Sequence, residues 1–538
     1  MDKNSSSTLG LIKKALHIWA VQYHFVIPWR ILKEYIHKYH TESSNISKYG
    51  QRFYDPENAE EYNKWLTFQT YDNEKKTIDA TLIGQDLNNV TGSAYPKQNM
   101  LALDLSLIHT EYACIVGNGC HFYEMFDRYL GQSAAYDVTY FDHDELNEKG
   151  ERSHPWLKPD FSYDTLRGFN YIGHCWIVKT KLLKQFDGQA WNPYRWLLEL
   201  SDQKISIGHI SKILYGDTES IQNEYDTLKA YFAGRNEQIS IEQNNDGVSA
   251  RIYYPLRSRP LISIVIPTKD GKNVLHTCLQ SIFAKTTYEN YEVVIADNGS
   301  ELTETKQYFL EIQEAHPNVH VYACPGPFNF SKINNQAILE HAKGEYAVLL
   351  NNDTSIITSD WLEKMLSYAQ LDHIGSVGAM MYYADGSIQH AGVITGKGGG
   401  FAHRYYRKEA NVKEYMHTLS VPNDVAACTA ACLMVSKKKY AEVQGMNEEL
   451  TVQFNDVDLA IKLLNQGYFN IFLPDVRLVH YESKSRGIDK EHSAVDRYVK
   501  EVAYAQEHYA KWIEHDPYYN DQFDKNYDYM LKVGNGSN

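Results

Sequence analysis

The stretch Tyr346-Ala-Val-Leu-Leu-Asn-Asn-Asp353 reads as a buried strand that stops at three polar residues. An apolar strand of this kind would not carry Asn351, Asn352 and Asp353 in its interior. The polar residues therefore belong at the carboxyl end of the strand. Ligands bind at this edge in open α/β sheets, so Asp353 is a candidate metal or phosphate-site residue. A polar loop that only caps the strand is the alternative interpretation.

Strand-like and helix-like segments alternate around this stretch. Apolar strands separated by helices predict an α/β fold with a mostly parallel sheet covered on both faces. The predicted strands are Leu261–Pro267, Tyr291–Ala296, Val319–Ala323 and Tyr346–Leu350, and the predicted helices are Val274–Phe283, Thr303–His316 and Phe330–Ala342. The first half has similar strand-like segments at Tyr112–Val116, Val138–Phe141 and Ile172–Val178.

Three predicted strands of the second half end in polar, acidic segments. These are Pro267-Thr268-Lys269-Asp270, Asp297-Asn298-Gly299-Ser300 and Asn351-Asn352-Asp353. On one sheet edge they would form an acidic crevice, which suits a nucleotide bound with a divalent metal better than a bare phosphate. Neither Gly-x-Gly-x-x-Gly after the first strand nor a P-loop sequence is present, so a dinucleotide fold and a P-loop fold are not supported.

Composition excludes several classes of protein. The 538 residues, 43% hydrophobic and 22% charged, predict a globular protein of roughly three domains. A net charge of -15 argues against nucleic-acid binding, which requires a basic surface. Seven scattered cysteines do not resemble a disulfide framework and favour a reducing compartment. We read Cys428 and Cys432 as small core residues.

The amino-terminal segment is aromatic and basic. No secretory signal and no apolar segment of ~20 residues is present, so we expect a cytoplasmic protein. Leu9 to His40 has helical apolar spacing broken at Pro28. This segment either lies in a membrane interface, at the inner face of the plasma membrane, or packs on protein. The sequence leaves the oligomeric state of the protein open.

Turn-rich sequences suggest the domain boundaries. The segments Asn244–Gly247 and Arg257–Pro260 are polar and rich in turn residues. A helical pattern through Tyr498–Trp512 leads into a tyrosine-rich tail. The predicted division is a helical segment at 1–50, a first α/β domain at 51–250, a second at 251–490 and a helical extension at 491–538.

Seven motifs in the second half give it a family resemblance. Between Pro260 and Arg486 the chain resembles the GT-A glycosyltransferases, specifically the family 2 inverting enzymes of the rhamnosyltransferase-like, surface-polysaccharide kind. The motifs are Ile264-Val265-Ile266-Pro267-Thr268, Ile295-Ala296-Asp297-Asn298-Gly299-Ser300, Phe328-Asn329-Phe330-Ser331-Lys332-Ile333-Asn334-Asn335, Leu350-Asn351-Asn352-Asp353, Gln389-His390-Ala391-Gly392, Phe454-Asn455-Asp456-Val457-Asp458-Leu459 and His480-Tyr481-Glu482-Ser483-Lys484-Ser485-Arg486-Gly487. Their order and spacing are specific, although each motif alone is weak.

The resemblance implies a nucleotide-sugar site with a metal. Asp353 would be the second acid of the family's Asp-x-Asp, holding Mn²⁺ or Mg²⁺ against the donor diphosphate, and His480 would be an additional metal ligand. Asn351 stands where the first acid is expected, which lowers the charge of the site. The donor pocket would be lined by Pro267, Asp270, Asp297, Lys332, Asn335, Asn351 and Asp353, with Asp270 and Asp297 on the base and ribose.

Asp456 is the predicted general base. Taking the proton of an acceptor hydroxyl from the face opposite the leaving group would invert the anomeric centre in one displacement. The alternative is that Asp456 and Asp458 are only acids at a helix amino terminus, where the helix dipole favours them. His390 and His403 could contact acceptor or phosphate.

The first half resembles a degenerate copy of the same unit. The expected metal acids, base and late histidine are replaced by Val116–Gly119, Asn192–Trp196 and Gly216, respectively. We therefore predict a structural or acceptor-docking role for residues 51–250.

The predicted function is sugar transfer. A UDP- or dTDP-sugar would donate one sugar to a hydroxyl of a cell-surface polysaccharide, which could be lipid-linked. The alternative is a catalytically silent GT-A pair that binds glycan or acts as a scaffold in a synthesis complex, and Asn351 keeps this alternative open.

Overall fold

Two mixed β-sheets organise the chain, one in each half. The structure is a computed structural model that describes residues 53–69, 77–147, 149–218, 224–235, 238–481 and 492–533. The first sheet has eight strands and the second has ten. The amphipathic segment predicted within residues 1–50 lies outside the described residues.

The first half contains eleven strands and six α-helices among its described residues. The strands are β1 (Phe53–Tyr54), β2 (Ala80–Gly84), β3 (Lys97–Asn99), β4 (Tyr112–Val116), β5 (His121–Phe122), β6 (Val138–Leu146), β7 (Arg152–Trp156), β8 (Cys175–Lys179), β9 (Ile207–Asp217), β10 (Ser240–Gln243) and β11 (Ala250–Tyr253). The helices are α1 (Ala59–Leu66), α2 (Phe126–Tyr129), α3 (Tyr163–Gly168), α4 (Thr180–Leu183), α5 (Pro193–Ser201) and α6 (Glu224–Ala233).

The second half contains the larger sheet and the carboxyl-terminal helices. Its strands are β12 (Ile262–Thr268), β13 (Tyr291–Asp297), β14 (Val319–Ala323), β15 (Tyr346–Leu350), β16 (Thr354–Ile356), β17 (Ile374–Tyr382), β18 (Ile388–His390), β19 (Val393–Thr395), β20 (Phe401–His403), β21 (Asn423–Val425), β22 (Cys432–Ser436), β23 (Phe469–His480) and β24 (Leu531–Lys532). Its helices are α7 (Lys272–Lys285), α8 (Thr303–Ala315), α9 (Phe330–Gln336), α10 (Trp361–Ala369), α11 (Lys437–Glu442), α12 (Asn455–Asn465), α13 (His492–His508) and α14 (Ala510–Glu514).

The two sheets share one topology. The first runs β3-β2-β4-β8-β6-β9-β5, and the second runs β13-β12-β15-β22-β17-β23-β16, with β14 added outside β13. Each step has the same direction in both sheets: two parallel pairs, two antiparallel pairs, one parallel pair and one antiparallel pair. This repetition confirms the predicted tandem α/β fold. The boundaries proposed at 50, 250 and 490 stay predictions.

The core of the second half covers both faces of its sheet, as the apolar strands predicted. Along β12, Ile264 and Ile266 pack with α7, α8 and α10, whereas Val265 packs on the opposite face with α9 and α12. The antiparallel direction of β22 was not predicted from sequence. A strand buried on both faces has the same apolar pattern in either direction, so only the pairing reveals it.

Several predicted elements have different limits in the structure, and β6, predicted over Val138–Phe141, extends to Leu146. The strand predicted from Ile172 begins instead at Cys175, because Asn170–Gly173 forms a turn in which the N–H of Gly173 donates to Asn170 Oδ1 at 3.0 Å. Gly173 has φ of +81°, which favours glycine. The carboxyl-terminal helix begins at His492 and is interrupted at Tyr509.

The carboxyl-terminal segment packs against both halves. Asn520 Nδ2 donates to Asp142 Oδ2 of the first half at 3.0 Å, and Thr395 N of the second half donates to Asp516 Oδ2 at 2.8 Å. All seven cysteines are buried, including Cys428 and Cys432, which were predicted to be core residues. No helix within the described ranges has the length and apolar character needed to cross a membrane.

Candidate active site

The carboxyl ends of three parallel strands meet at one edge of the second sheet. Thr268, the last residue of β12, lies opposite Asp297, the last residue of β13. On its other side β12 pairs with β15, which leads directly into Asn351. Asn352 Nδ2 then donates to Thr268 Oγ1 at 2.9 Å. The three polar strand ends therefore lie next to one another at this edge of the sheet, as the sequence predicted.

Asp353 and His480 face each other at this edge of the sheet. Asp353 Oδ1 lies 3.1 Å from His480 Nε2, and the two residues are 4% and 6% exposed. The antiparallel pairing of β16 with β23 sets this contact, because Thr354 lies opposite His480. Asn351 Nδ2 is also near, 3.2 Å from His480 Nε2.

This pair fits a divalent cation. A buried carboxylate normally requires a positive partner, and within the described residues only the His480 imidazole, which is neutral unless protonated, lies within ion-pair distance of the Asp353 carboxylate. Carboxylate oxygen with one imidazole suits Mn²⁺ or Mg²⁺. No group of three or more histidine, cysteine, aspartate or glutamate side chains able to hold a metal occurs in the described part of the chain. The donor phosphates and water would have to complete the coordination, as is usual for Mg²⁺.

The two predicted nucleotide contacts are linked through Ser300. Asp297 Oδ1 accepts hydrogen bonds from Ser300 N at 2.8 Å and from Ser300 Oγ at 2.6 Å. Ser300 Oγ in turn accepts from Asp270 N at 2.8 Å. Asp270 Oδ1 accepts from the N–H groups of Glu301 and Leu302, so one of its oxygens already holds the entry to α8. Base and ribose contacts by these acids stay predictions.

Lys332 and Asn335 differ in their surroundings. Both follow the amino terminus of α9, and Lys332 is exposed there. Asn335 is buried, and its side chain is bonded on both sides: Oδ1 accepts from Tyr440 and Met446, while Nδ2 donates to Met446 O and Glu448 Oε1. These bonds anchor the 440–448 loop, so Asn335 has a structural role. Pro267 is the penultimate residue of β12 and is half-buried.

Asp456 lies in the first turn of α12. The chain enters this helix through Phe454, whose φ of +59° is unusual for a bulky residue. Asp456 Oδ2 accepts from Ala430 N at 3.1 Å, and Asp456 Oδ1 accepts from Val457 N at 2.9 Å. Burial raises the pKa of Asp456, and these two N–H groups partly oppose the shift. A raised pKa suits a general base near neutral pH.

A short backbone segment links Asp456 to the strand end that carries Asn351 and Asp353. The residue after Ala430 is Ala431, whose carbonyl oxygen accepts from Asn351 N at 3.0 Å. The segment Thr429–Ala431 therefore lies between Asp456, the predicted base, and Asn351. The structure thus brings together the three predicted functional positions, Asp353, His480 and Asp456, at one edge of the sheet.

Two histidines form a pair beside this segment. His390 Nε2 accepts from Gly392 N and Thr429 N, both at 3.3 Å, so the proton of neutral His390 is on Nδ1. His390 Nδ1 then donates to His403 Nδ1 at 2.9 Å. Burial lowers the pKa of His390 well below its ordinary range, and His403 adds to the effect. His390 is therefore a neutral residue that supports the Thr429–Ala431 segment.

Two residues near the site were not predicted. Gln389 Oε1 lies 3.0 Å from His480 Nδ1, and the carboxylate of Glu501 in α13 accepts from three successive N–H groups of Thr451–Gln453, just before α12. Gln389 belonged to the motif Gln389–Gly392 but had no predicted role of its own. Glu501 lies in a helix whose apolar spacing does not indicate this contact.

The first half lacks these ligands at the equivalent positions. In the pairing of β5 with β9, His121 lies opposite Gly216, just as Thr354 lies opposite His480 in the second half. Glycine offers no side-chain ligand, so the register supports the sequence prediction of a degenerate copy. The backbone contacts at the two strand ends correspond. In the first half Gly117 N donates to His174 O at 2.9 Å, and in the second half Asn351 N donates to Ala431 O.

Comparisons with known proteins agree with this description. Residues 263–443 match the family described as glycosyl transferase family 2. The chain is 35% identical over 411 residues to the uncharacterized protein y4gI of Sinorhizobium fredii, covering 71% of this chain and 45% of that protein. It is 33% identical over 407 residues to the O-antigen biosynthesis protein RfbC of Myxococcus xanthus, covering 71% and 31%.

A third relative is more distant. The N-acetylglucosaminyl-diphospho-decaprenol L-rhamnosyltransferase of Mycobacterium tuberculosis is 22% identical over 214 residues, covering 37% of this chain and 68% of that enzyme. The chain spans less than half the length of the first two relatives.

Proposed function

We propose that this chain is an inverting, metal-dependent glycosyltransferase, because residues 263–443 match the family described as glycosyl transferase family 2. It moves one sugar from a UDP- or dTDP-sugar to a hydroxyl of a cell-surface polysaccharide. The observation that carries the proposal is a backbone connection between Asp456 and the Asp353–His480 pair. Asp456 is bonded to Ala430 N, and the next residue, Ala431, is bonded to the strand end that leads to Asp353. A base and a cation site at one strand edge are what the reaction requires.

Each residue has a defined chemical role. Asp456 accepts the proton of the acceptor hydroxyl as that oxygen bonds to the anomeric carbon of the donor. The bond from this carbon to the diphosphate oxygen breaks, and its electron pair leaves with the nucleoside diphosphate. Asp353 and His480 would hold Mn²⁺ or Mg²⁺, which contributes positive charge next to the departing diphosphate. Attack from the side opposite the leaving group inverts the anomeric centre.

The relatives support the class of acceptor. The names of two of them concern O-antigen biosynthesis and rhamnosyl transfer to a decaprenol-linked sugar. We infer a glycan acceptor for this chain, lipid-linked and met at the cytoplasmic face of the membrane. Residues 1–40 would contribute peripheral contact with that membrane. Co-sedimentation with anionic liposomes, with and without residues 1–40, tests this part, and equal partitioning would contradict it.

Nucleotide release tests the activity. The full chain is incubated with Mn²⁺ and a panel of UDP- and dTDP-sugars, with and without glycan acceptors, and release of the nucleoside diphosphate is measured. We expect Asp456→Asn to lower turnover by about 10²- to 10⁴-fold, because proton transfer is lost. Turnover equal to that of the parent would show that Asp456 is not the base, and no turnover with any donor and acceptor would favour a silent binding protein.

Asp458 provides the matched control. It lies two residues further along α12 and is buried, but its carboxylate is bonded within the protein to Tyr509, Lys462 and Asn447 N. Asp458→Asn should lower the melting temperature with much less effect on turnover measured well below that temperature. A loss equal to that of Asp456→Asn would indicate that both changes act through helix stability.

A further inference from the structure

Gln389 holds the ring of His480 from the side opposite Asp353. It lies in β18, is 5% exposed, and its Oε1 is 3.0 Å from His480 Nδ1. We propose that Gln389 is a positioning residue, which fixes the proton of His480 on Nδ1 and so leaves the Nε2 lone pair directed at the cation site. This inference rests on the proposed function, since it concerns the metal that the reaction would use.

The hydrogen-bonding inventory supports this arrangement. An amide oxygen only accepts, so His480 Nδ1 must carry the proton, and Nε2 of the neutral ring is then an acceptor. Asn351 Nδ2, 3.2 Å away, is a donor that matches an unprotonated Nε2. The remaining neighbour of Nε2 is Asp353 Oδ1 at 3.1 Å. Two lone pairs that face each other at this distance are stabilised by a cation that binds both.

Burial makes the contact with Gln389 hard to replace. Both Gln389 and His480 are largely excluded from solvent, so water does not readily take the place of a lost acceptor at Nδ1. Without that acceptor the ring can rotate or move its proton to Nε2, where it would compete with the cation. Groups that orient metal-binding histidines in this way typically change metal affinity by about 10- to 100-fold when they are removed.

The opposite orientation of the Gln389 amide makes the opposite prediction. An NH₂ group facing Nδ1 would place the proton on Nε2, where it would be donated to Asp353. The proton on His480 Nε2 would then oppose cation binding, and removal of the Gln389 amide would leave the affinity for the metal unchanged or increase it. The two orientations are therefore distinguished by the sign of one measurement.

Direct titration with Mn²⁺ tests the proposal on the full chain without donor or acceptor. Isothermal titration calorimetry measures the Kd, and electron paramagnetic resonance of free Mn²⁺ gives an independent value. We expect Gln389→Leu to weaken binding by about 10- to 100-fold, whereas Gln389→Glu, which keeps an acceptor oxygen, should remain near the parent or bind more tightly. Gln370→Leu is the matched control, because Gln370 precedes the amino end of β17, at the opposite edge of the sheet from His480.

A double-mutant cycle tests whether Gln389 acts through His480. In a His480→Ala background, Gln389→Leu should have no further effect on Mn²⁺ affinity. An equal loss with and without His480, parent-like affinity in Gln389→Leu, or no Mn²⁺ binding by the parent would each overturn the proposal. Thermal melting checks that each variant is folded at the titration temperature.

The outcome for the proposed function is separate. Coupled effects on Mn²⁺ affinity without any sugar transfer would retain the positioning role and reject the glycosyltransferase activity. Sugar transfer without coupling between Gln389 and His480 would retain the activity and reject the positioning role.

Discussion

Glu501 Oε1 accepts two hydrogen bonds from Thr451, one from its backbone N–H at 2.7 Å and one from its Oγ1 at 2.9 Å. The same carboxylate accepts from Val452 N at 3.0 Å and Gln453 N at 2.9 Å, and Glu501 is only 3% exposed. These residues lead directly into α12, which carries Asp456. The carboxyl-terminal helix therefore supports the backbone that positions the proposed base, although it lies outside the matched family region 263–443.

We expect Glu501→Ala to reduce both stability and turnover. Three partly buried N–H groups would lose a charged acceptor, which costs about 2–4 kcal/mol, and kcat should fall more than the KM for the donor changes, because the strand ends proposed to contact the donor are untouched. Denaturant unfolding and steady-state kinetics measure the two effects. Glu507→Ala, at an exposed position of the same helix, is the control. Parent-like kcat in folded Glu501→Ala would contradict the supporting role.

Restoring an acid at Asn351 should strengthen metal binding. Asn351→Asp places a second carboxylate beside Asp353 and the His480 imidazole, and its Coulomb attraction for a divalent cation should lower the Kd for Mn²⁺ by about 10-fold. Calorimetric titration measures this change. Asn352→Asp is the matched control, since the amide of Asn352 donates to Thr268 instead. Unchanged or weaker binding in Asn351→Asp would place the cation elsewhere.

The rate of sugar transfer should fall in acid at a higher pH than an ordinary aspartate would give. Burial raises the pKa of Asp456 above its usual value of about 3.9. Only the ionised carboxylate accepts a proton, so activity is lost as pH falls through the raised pKa. A pH profile of kcat/KM at saturating Mn²⁺ measures the acidic limb, and a parallel pH series of Mn²⁺ affinity separates the contribution of metal binding. An acidic limb at or below pH 4 would contradict this assignment.

The contact between the two halves should weaken as pH rises. Asp424 is buried near Asp164, one of its oxygens has no hydrogen-bond partner, and burial, followed by Asp164, raises the pKa of Asp424 to about 8. The folded chain therefore binds more protons than the unfolded chain between about pH 4 and 8. The free energy of unfolding should decrease with rising pH across that window, by up to about 1.4 kcal/mol per pH unit.

Asp424→Asn tests this dependence, because it keeps the shape of the side chain without the charge. Urea unfolding at pH 6 and pH 8.5 should show a smaller decrease for Asp424→Asn than for the parent, and a more stable variant at the higher pH. Parallel pH dependence of the two proteins would show that another group is responsible.

Much of the fold could be predicted from sequence. The strands β12, β13, β14 and β15 were predicted within one residue at each end, because an apolar run bounded by polar residues defines a buried strand locally. The meeting of the polar strand ends followed from the same pattern, since parallel strands place their carboxyl ends at one edge. The direction of β22 was not predictable, since it depends on which strands become neighbours.

The site was predicted in part. Asp353, Asp456 and His480 were identified through motifs, and the structure places them together. The structure also shows what the motifs did not reveal: one oxygen of Asp270 holds the entry to α8, and Asn335 anchors the 440–448 loop. A motif fixes a residue type and its spacing, but it does not state which atoms are already bonded within the protein.

By itself, the sequence determined the α/β class, the repeated unit and the residue types at the strand ends, because these depend on near neighbours along the chain. Only the tertiary structure decided which side chains meet. Asp353 and His480 are 127 residues apart, and Gln389 and His480 are 91 apart. Strand pairing across those distances brings a carboxylate, an imidazole and an amide together, and no local pattern encodes that contact.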